Sequence, residues 1–168
     1  MQSRPARDLP VPRPGNLSPA EVAELIGRAR ALHGSGSHPP QGMPLRGKYL
    51  ALLCDSDDSE SAVAFRHAAT ELGARVATIR PKLTVHSRSD EVQHTARVLG
   101  RLYDAIECQG MASALVSAIA QNAGVPVYDG LACDGHPIAA LAPLLAIDAP
   151  PAQLRTLLLQ AVLLGSIG

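Results

Sequence analysis

Apolar residues along this chain fall into two alternating patterns, one at helical spacing and one in short unbroken runs. The first helical signal is Ser18-Pro19-Ala20-Glu21, a capping serine, a proline at the first helical position and a glutamate placed to close a capping box. Val22, Leu25, Ile26, Ala29 and Leu32 follow at intervals of three and four until Gly34, so the spacing predicts a helix with one apolar stripe that needs a partner. The glycine- and proline-rich stretch from Gly34 to Pro44 reads as a loop. Continuous apolar runs then recur at Lys48–Leu53, Arg75–Ile79, Ala105–Cys108 and Val125–Tyr128, as in strands buried on both faces. Between them lie helical patterns: Val63 to Leu72 ending at Gly73, Val92-Ala96-Leu99, and Met111 to Ala120 ending at Gly124. Two further helices are predicted, one starting at Pro137 after His136, the other spanning about residues 151–165. Such alternation implies parallel strands with right-handed crossovers, hence a three-layer α/β/α domain around a four-stranded parallel sheet. Its loops after each strand, at 54–61, 80–90, 109–111 and 129–137, are where a ligand would bind.

Composition narrows the class. The 168 residues suit one domain, predicted over 17–168. Residues 1–16, with Pro5, Pro10, Pro12 and Pro14 among Arg4, Arg7 and Arg13, are expected to form a disordered tail. Aromatic residues make up only 2% of the chain, so the core must be aliphatic. Fifteen basic and fifteen acidic side chains cancel, which argues against nucleic acid or a membrane as partner. No apolar run reaches the length of a membrane span and no signal sequence is evident, so a soluble, cytoplasmic protein is expected. Cys54, Cys108 and Cys133 lack any metal-ligand spacing and read as reduced core thiols.

Several segments resemble the carbamoyl-phosphate domain of ornithine carbamoyltransferase and, more distantly, of aspartate carbamoyltransferase. They are Pro44-Leu45-Arg46-Gly47-Lys48, Phe65 through Leu72-Gly73-Ala74, the stretch from Thr95 to Ile106, Val125-Pro126-Val127-Tyr128-Asp129-Gly130-Leu131, and His136-Pro137. The resemblance covers about Leu17 to Leu145 and implies the strand order 2-1-3-4. It also implies a second, amino-acid-binding domain, which this sequence is expected to lack. The segment Arg155 to Leu164 faintly resembles the family's C-terminal helix, which returns to pack on the first domain.

The positions of the family's chemistry have changed. Where the resemblance places a phosphate-binding Ser-Thr-Arg-Thr-Arg loop, this sequence has Asp58-Ser59-Glu60-Ser61-Ala62. The next phosphate-site arginine falls on Gln109, and the His-Pro-x-Gln that holds the carbamoyl group becomes His136-Pro137-Ile138-Ala139. The lysine that relatives lend to a neighbouring subunit falls near Ser89, beside Arg88. The relic pocket is therefore Asp58, Ser59, Glu60, Ser61, Gln109 and His136, with no catalytic residue assigned. Independently of the family, a phosphate seeks backbone N–H groups and arginine forks, whereas the loop here carries Asp55, Asp57, Asp58 and Glu60. Each charged hydrogen bond is worth about 1.5–3 kcal/mol, so carbamoyl phosphate should bind poorly.

Plainer roles compete at each position. The acidic loop could hold a divalent cation, but Asp57 and Asp58 as caps of the next helix account for it, and no metal or cofactor is expected. His136 is a relic that polarises a carbonyl or a locally bonded helix-start residue. The resulting expectation is a catalytically degenerate, non-enzymatic relative that acts as a binding or assembly module. Its partners would be copies of itself, as a trimer before a dimer, or a full-length carbamoyltransferase of arginine metabolism that it modulates. The alternative is an enzyme or sensor that reuses the pocket for a small cationic or amino-acid-like ligand, and a decayed paralogue without function is the third possibility. Leu141, Leu144, Leu145, Leu157, Leu158, Leu163 and Leu164 are expected to form an uncovered patch that drives association.

Overall fold

The computed structural model describes residues 17–35 and 42–168; the tail expected at 1–16 and most of the predicted loop before the first strand lie outside them. Helix α1 (Pro19–Gly34) starts with the capping box expected of it: Ser18 Oγ accepts from Glu21 N at 3.2 Å, and Glu21 Oε2 accepts from Ser18 N at 2.7 Å. Strands β1 (Tyr49–Leu53), β2 (Arg75–Ile79), β3 (Ala105–Cys108) and β4 (Val127–Asp129) alternate with helices α2 (Glu60–Glu71), α3 (Ser89–Leu102) and α4 (Ser113–Ala123). The sheet is parallel throughout, in the order β2-β1-β3-β4. Side-chain alternation along each strand builds two cores. Leu50, Leu52, Ala105 and Tyr128 join the core beneath α1, α2 and the C-terminal helix, while Ala51, Leu53, Ile106 and Cys108 join that beneath α3 and α4.

The two C-terminal elements differ from the sequence expectation. Pro137–Leu145 is a 3-10 helix. Pro143 has no N–H to give to Ala139, so an α-helical turn there would lose a hydrogen bond and meet a ring clash. The segment closes instead through Arg30 of α1, which donates to the carbonyls of Leu144 and Leu145, both at 2.9 Å. Helix α5 (Pro151–Ile167) is not an uncovered surface. Leu157, Leu158, Leu159, Ala161, Val162 and Leu163 are all buried, against α1, α2 and the 3-10 segment. The expected apolar patch is thus internal to the chain. Leu144, 53% exposed, remains outside because its neighbours Ile138 and Leu145 take the inward positions.

Candidate functional site

The loops after β1, β3 and β4 meet at the carboxyl end of β3. After β1 the chain runs through Cys54 and an exposed acidic stretch to Ser59, which caps α2 by accepting from Ala62 N at 3.2 Å. The cap is therefore the serine rather than Asp57 or Asp58. Asp58 instead accepts from Ser56 Oγ, a hydroxyl contact that holds its carboxyl below the usual range. After β4, Gly130 adopts φ +65°, a left-handed conformation that glycine takes without strain. Its N–H bonds Cys108 O at 2.7 Å, and Cys133 N bonds Gly130 O at 2.9 Å. This turn folds residues 131–133 back over the end of β3.

Two connections then tie the loops together. Gln109, buried just past β3, donates from Nε2 to Ser61 O at 3.2 Å and to Glu107 Oε1 at 3.3 Å. Arg155 of α5 reaches in from the other side. Its guanidinium donates to Ala132 O and lies 3.1 Å from Asp134 Oδ1 and 3.7 Å from Glu60 Oε1. Of the sequence-predicted residues, Ser61 and Gln109 are therefore brought into contact, and Glu60 is joined to the loop after β4 through Arg155. Asp58 and His136 make local contacts: His136 Nδ1 accepts from Ile138 N at 3.2 Å, capping the 3-10 segment. This fits the helix-start reading of that histidine. Burial pushes its pKa below the usual value, against a smaller opposing pull from Asp129.

Sequence reasoning missed two residues at this site. Glu107 is fully buried, and burial raises its carboxyl pKa to about 8 in spite of hydrogen bonds from Gln109 and the backbone. A carboxylate inside a strand buried on both faces was the available signal, because such a charge rarely goes unpaired. Arg155 is the lone charged residue of α5. A cation near the start of a helix opposes the helix dipole, so its position called for an acidic partner elsewhere. Two of the thiols are held in the unreactive protonated form: desolvation raises Cys54 and takes Cys108 to about 12. Among the described residues no cluster of three metal-ligating side chains occurs, and no helix is long and apolar enough to cross a membrane.

Comparison with known proteins places this architecture. Residues 13–149 match the family model for the carbamoyl-P binding domain of aspartate/ornithine carbamoyltransferase. The ornithine carbamoyltransferase of Gloeobacter violaceus is 28% identical, with a TM-score of 0.55 over 75% of this chain and 39% of that one. The Thermus thermophilus ornithine carbamoyltransferase is 27% identical, with a TM-score of 0.62 over 77% and 44%. The mitochondrial enzyme of Coccidioides immitis, at 22% identity, shares the fold with a TM-score of 0.63 over 81% and 45%. The chain thus spans less than half the length of these solved relatives. Helix α5, with Arg155, lies beyond the matched family segment.

Proposed function

The chain belongs to the aspartate/ornithine carbamoyltransferase family through its carbamoyl-phosphate-binding domain, and from that premise we propose that its pocket has lost phosphate capture and that the domain serves binding or assembly. The observation that supports this reading is the ion pair between Glu60 and Arg155. At the first turn of α2, where a phosphate would need positive charge, stands a carboxylate, and Arg155, the cation paired with it, is also engaged by Asp134 and Ala132 O. An incoming dianion meets Asp55, Asp57 and Asp58 as well, all exposed on the same loop. Its partner is a second copy of the chain, as a trimer before a dimer, or a full-length carbamoyltransferase of arginine metabolism whose activity it modulates. The buried state of α5 removes that helix as the assembly surface, and the proposal rests on family likeness for this part.

A second reading has an observation of its own. The same acidic rim, with Glu60 and Asp134 both largely exposed, suits a small cationic or amino-acid-like ligand. Purified protein incubated with carbamoyl phosphate and either ornithine or aspartate is expected to yield no citrulline or carbamoyl-aspartate above blank. Product formation would overturn the loss of phosphate capture. For assembly, a solution mass near 17.5 kDa by light scattering would remove self-association.

A further inference from the structure

Two side-chain atoms beneath the candidate site have no hydrogen-bond partner among the described residues, and they belong to residues that already touch: Glu107 Oε2 and Gln109 Oε1. Both residues are more than nine-tenths buried. The amide cannot be turned round to mend this, because its Nε2 faces Ser61 O and Glu107 Oε1, and a flip would set oxygen against both. With Glu107 ionised, the two orphans are both acceptors and nothing satisfies either one. A single proton on Oε2 turns one of them into the donor that the other lacks.

We propose that Glu107 carries a proton at neutral pH and gives it in a hydrogen bond to Gln109 Oε1, closing a two-bond acid–amide pair that latches the start of α2 to the turn after β4. The latch has two outer ends. Gln109 Nε2 holds Ser61 O in the first turn of α2, and Glu107 Oε1 accepts from Ala132 N at 3.5 Å beyond β4. Loss of the proton leaves a buried carboxylate whose Oε2 faces the Gln109 carbonyl, acceptor against acceptor, so the Gln109 end of the latch loosens.

Among the described residues, those around that carboxylate offer it no counter-charge. From β4, Asp129 adds negative charge and Tyr128 keeps its phenol, held well above its usual range by burial and bonded to Ser166. From β3, Cys108 stays a thiol; from β1, the residue in register is Leu52. Arg155 of α5 is committed to Ala132 O, Asp134 and Glu60, and His136 at the 3-10 segment is biased towards its neutral form. Burial accordingly takes Glu107 from 4.5 to about 8. Between those values the folded chain binds more protons than the unfolded one, so this group's stabilisation is complete below about 4.5 and is lost as pH rises through about 8.

The test uses the full chain with its glutamates labelled with carbon-13 at the carboxyl. Of the six glutamates, one is expected to remain protonated at pH 7 and to titrate far above the others. That signal should be missing in Glu107→Gln, and the Ala132 amide should follow the same midpoint in the wild type alone. Glutamine reproduces the protonated acid's bonds. The variant should therefore gain on the wild type in urea unfolding as pH rises from 5 to 8, by up to about tenfold in folding constant per pH unit. Six glutamates all ionised by pH 7 would overturn the proposal, as would a stability difference that stays flat with pH. If Glu107→Gln fails to fold, the mimicry argument is wrong and the wild-type titration still decides the protonation.

Discussion

At the scale of single residues, Arg155 carries more of the site than the carboxylates it touches. Its side chain is 21% exposed, whereas those of Glu60 and Asp134 are each 86% exposed, and ion pairs with solvated partners contribute little. Its bond to Ala132 O is a charge-assisted one to a buried residue. Arg155→Met is expected to cost about 1–3 kcal/mol, whereas Glu60→Gln should stay within about 0.5 kcal/mol, both read from urea midpoints at constant slope. His136 has a pH signature of opposite sign to that of Glu107. Its folded pKa lies below the usual 6.5, so the unfolded chain binds the extra proton and stability is lost as pH falls below 6.5. His136→Asn retains a capping acceptor and removes the titration; its stability relative to wild type should rise as pH drops from 6.5 to 5. The placing of Ser59, Ser61 and Gln109 in the loops that follow β1 and β3 was readable from motif position. The pairing of Gln109 with Glu107 was not, because it depends on strand alternation placing positions 107 and 109 on one face under the turn that carries Ala132.

At the scale of elements, periodicity located every helix and strand but could not say which apolar faces would be covered. Helix α5 reads as apolar around most of its circumference, and such a pattern fits burial inside a chain or between chains equally well. The structure puts it inside, packed on α1 and α2, with Gln160 donating to Ala68 O at 3.3 Å and to Glu71 Oε2 at 2.8 Å. Leu158→Asp is therefore expected to unfold the domain rather than dissociate an assembly, since it buries an unpaired charge at a cost of several kcal/mol. Loss of the far-UV helical signal at 25 °C checks it; a folded monomer would place α5 at an interface after all. The α3–α4 packing offers a second test on the other side of the sheet. A methyl group at Gly100 would land on the carbonyl oxygen of Ala123, backbone that cannot step aside. Gly100→Ala should cost about 1–3 kcal/mol or more, even though alanine favours a helix interior by roughly 1 kcal/mol. The 3-10 form of Pro137–Leu145 escaped the sequence because a proline at position 143 weakens an α-helix without naming its replacement.

At the scale of the whole molecule, the fold has the parallel four-stranded frame of the family whose domain it matches, and the proposed change lies in the loops at that frame's carboxyl edge. Strand order β2-β1-β3-β4 still gathers four loops at one edge. Gly130 turns the last of them over β3, and Ser59 opens α2 by accepting from Ala62 N. That frame was legible because strand runs and glycine stops are local signals. The acidic rim was legible only on one side, as the carboxylates of the loop before α2. The answering cation comes from α5, far along the chain. The central claim, that this edge no longer captures phosphate, is tested most directly by the melting temperature of the full chain in millimolar carbamoyl phosphate or inorganic phosphate. Linkage requires binding to the native state for any shift, so the account predicts an unchanged melting temperature with either anion. A saturable rise with either one would contradict it.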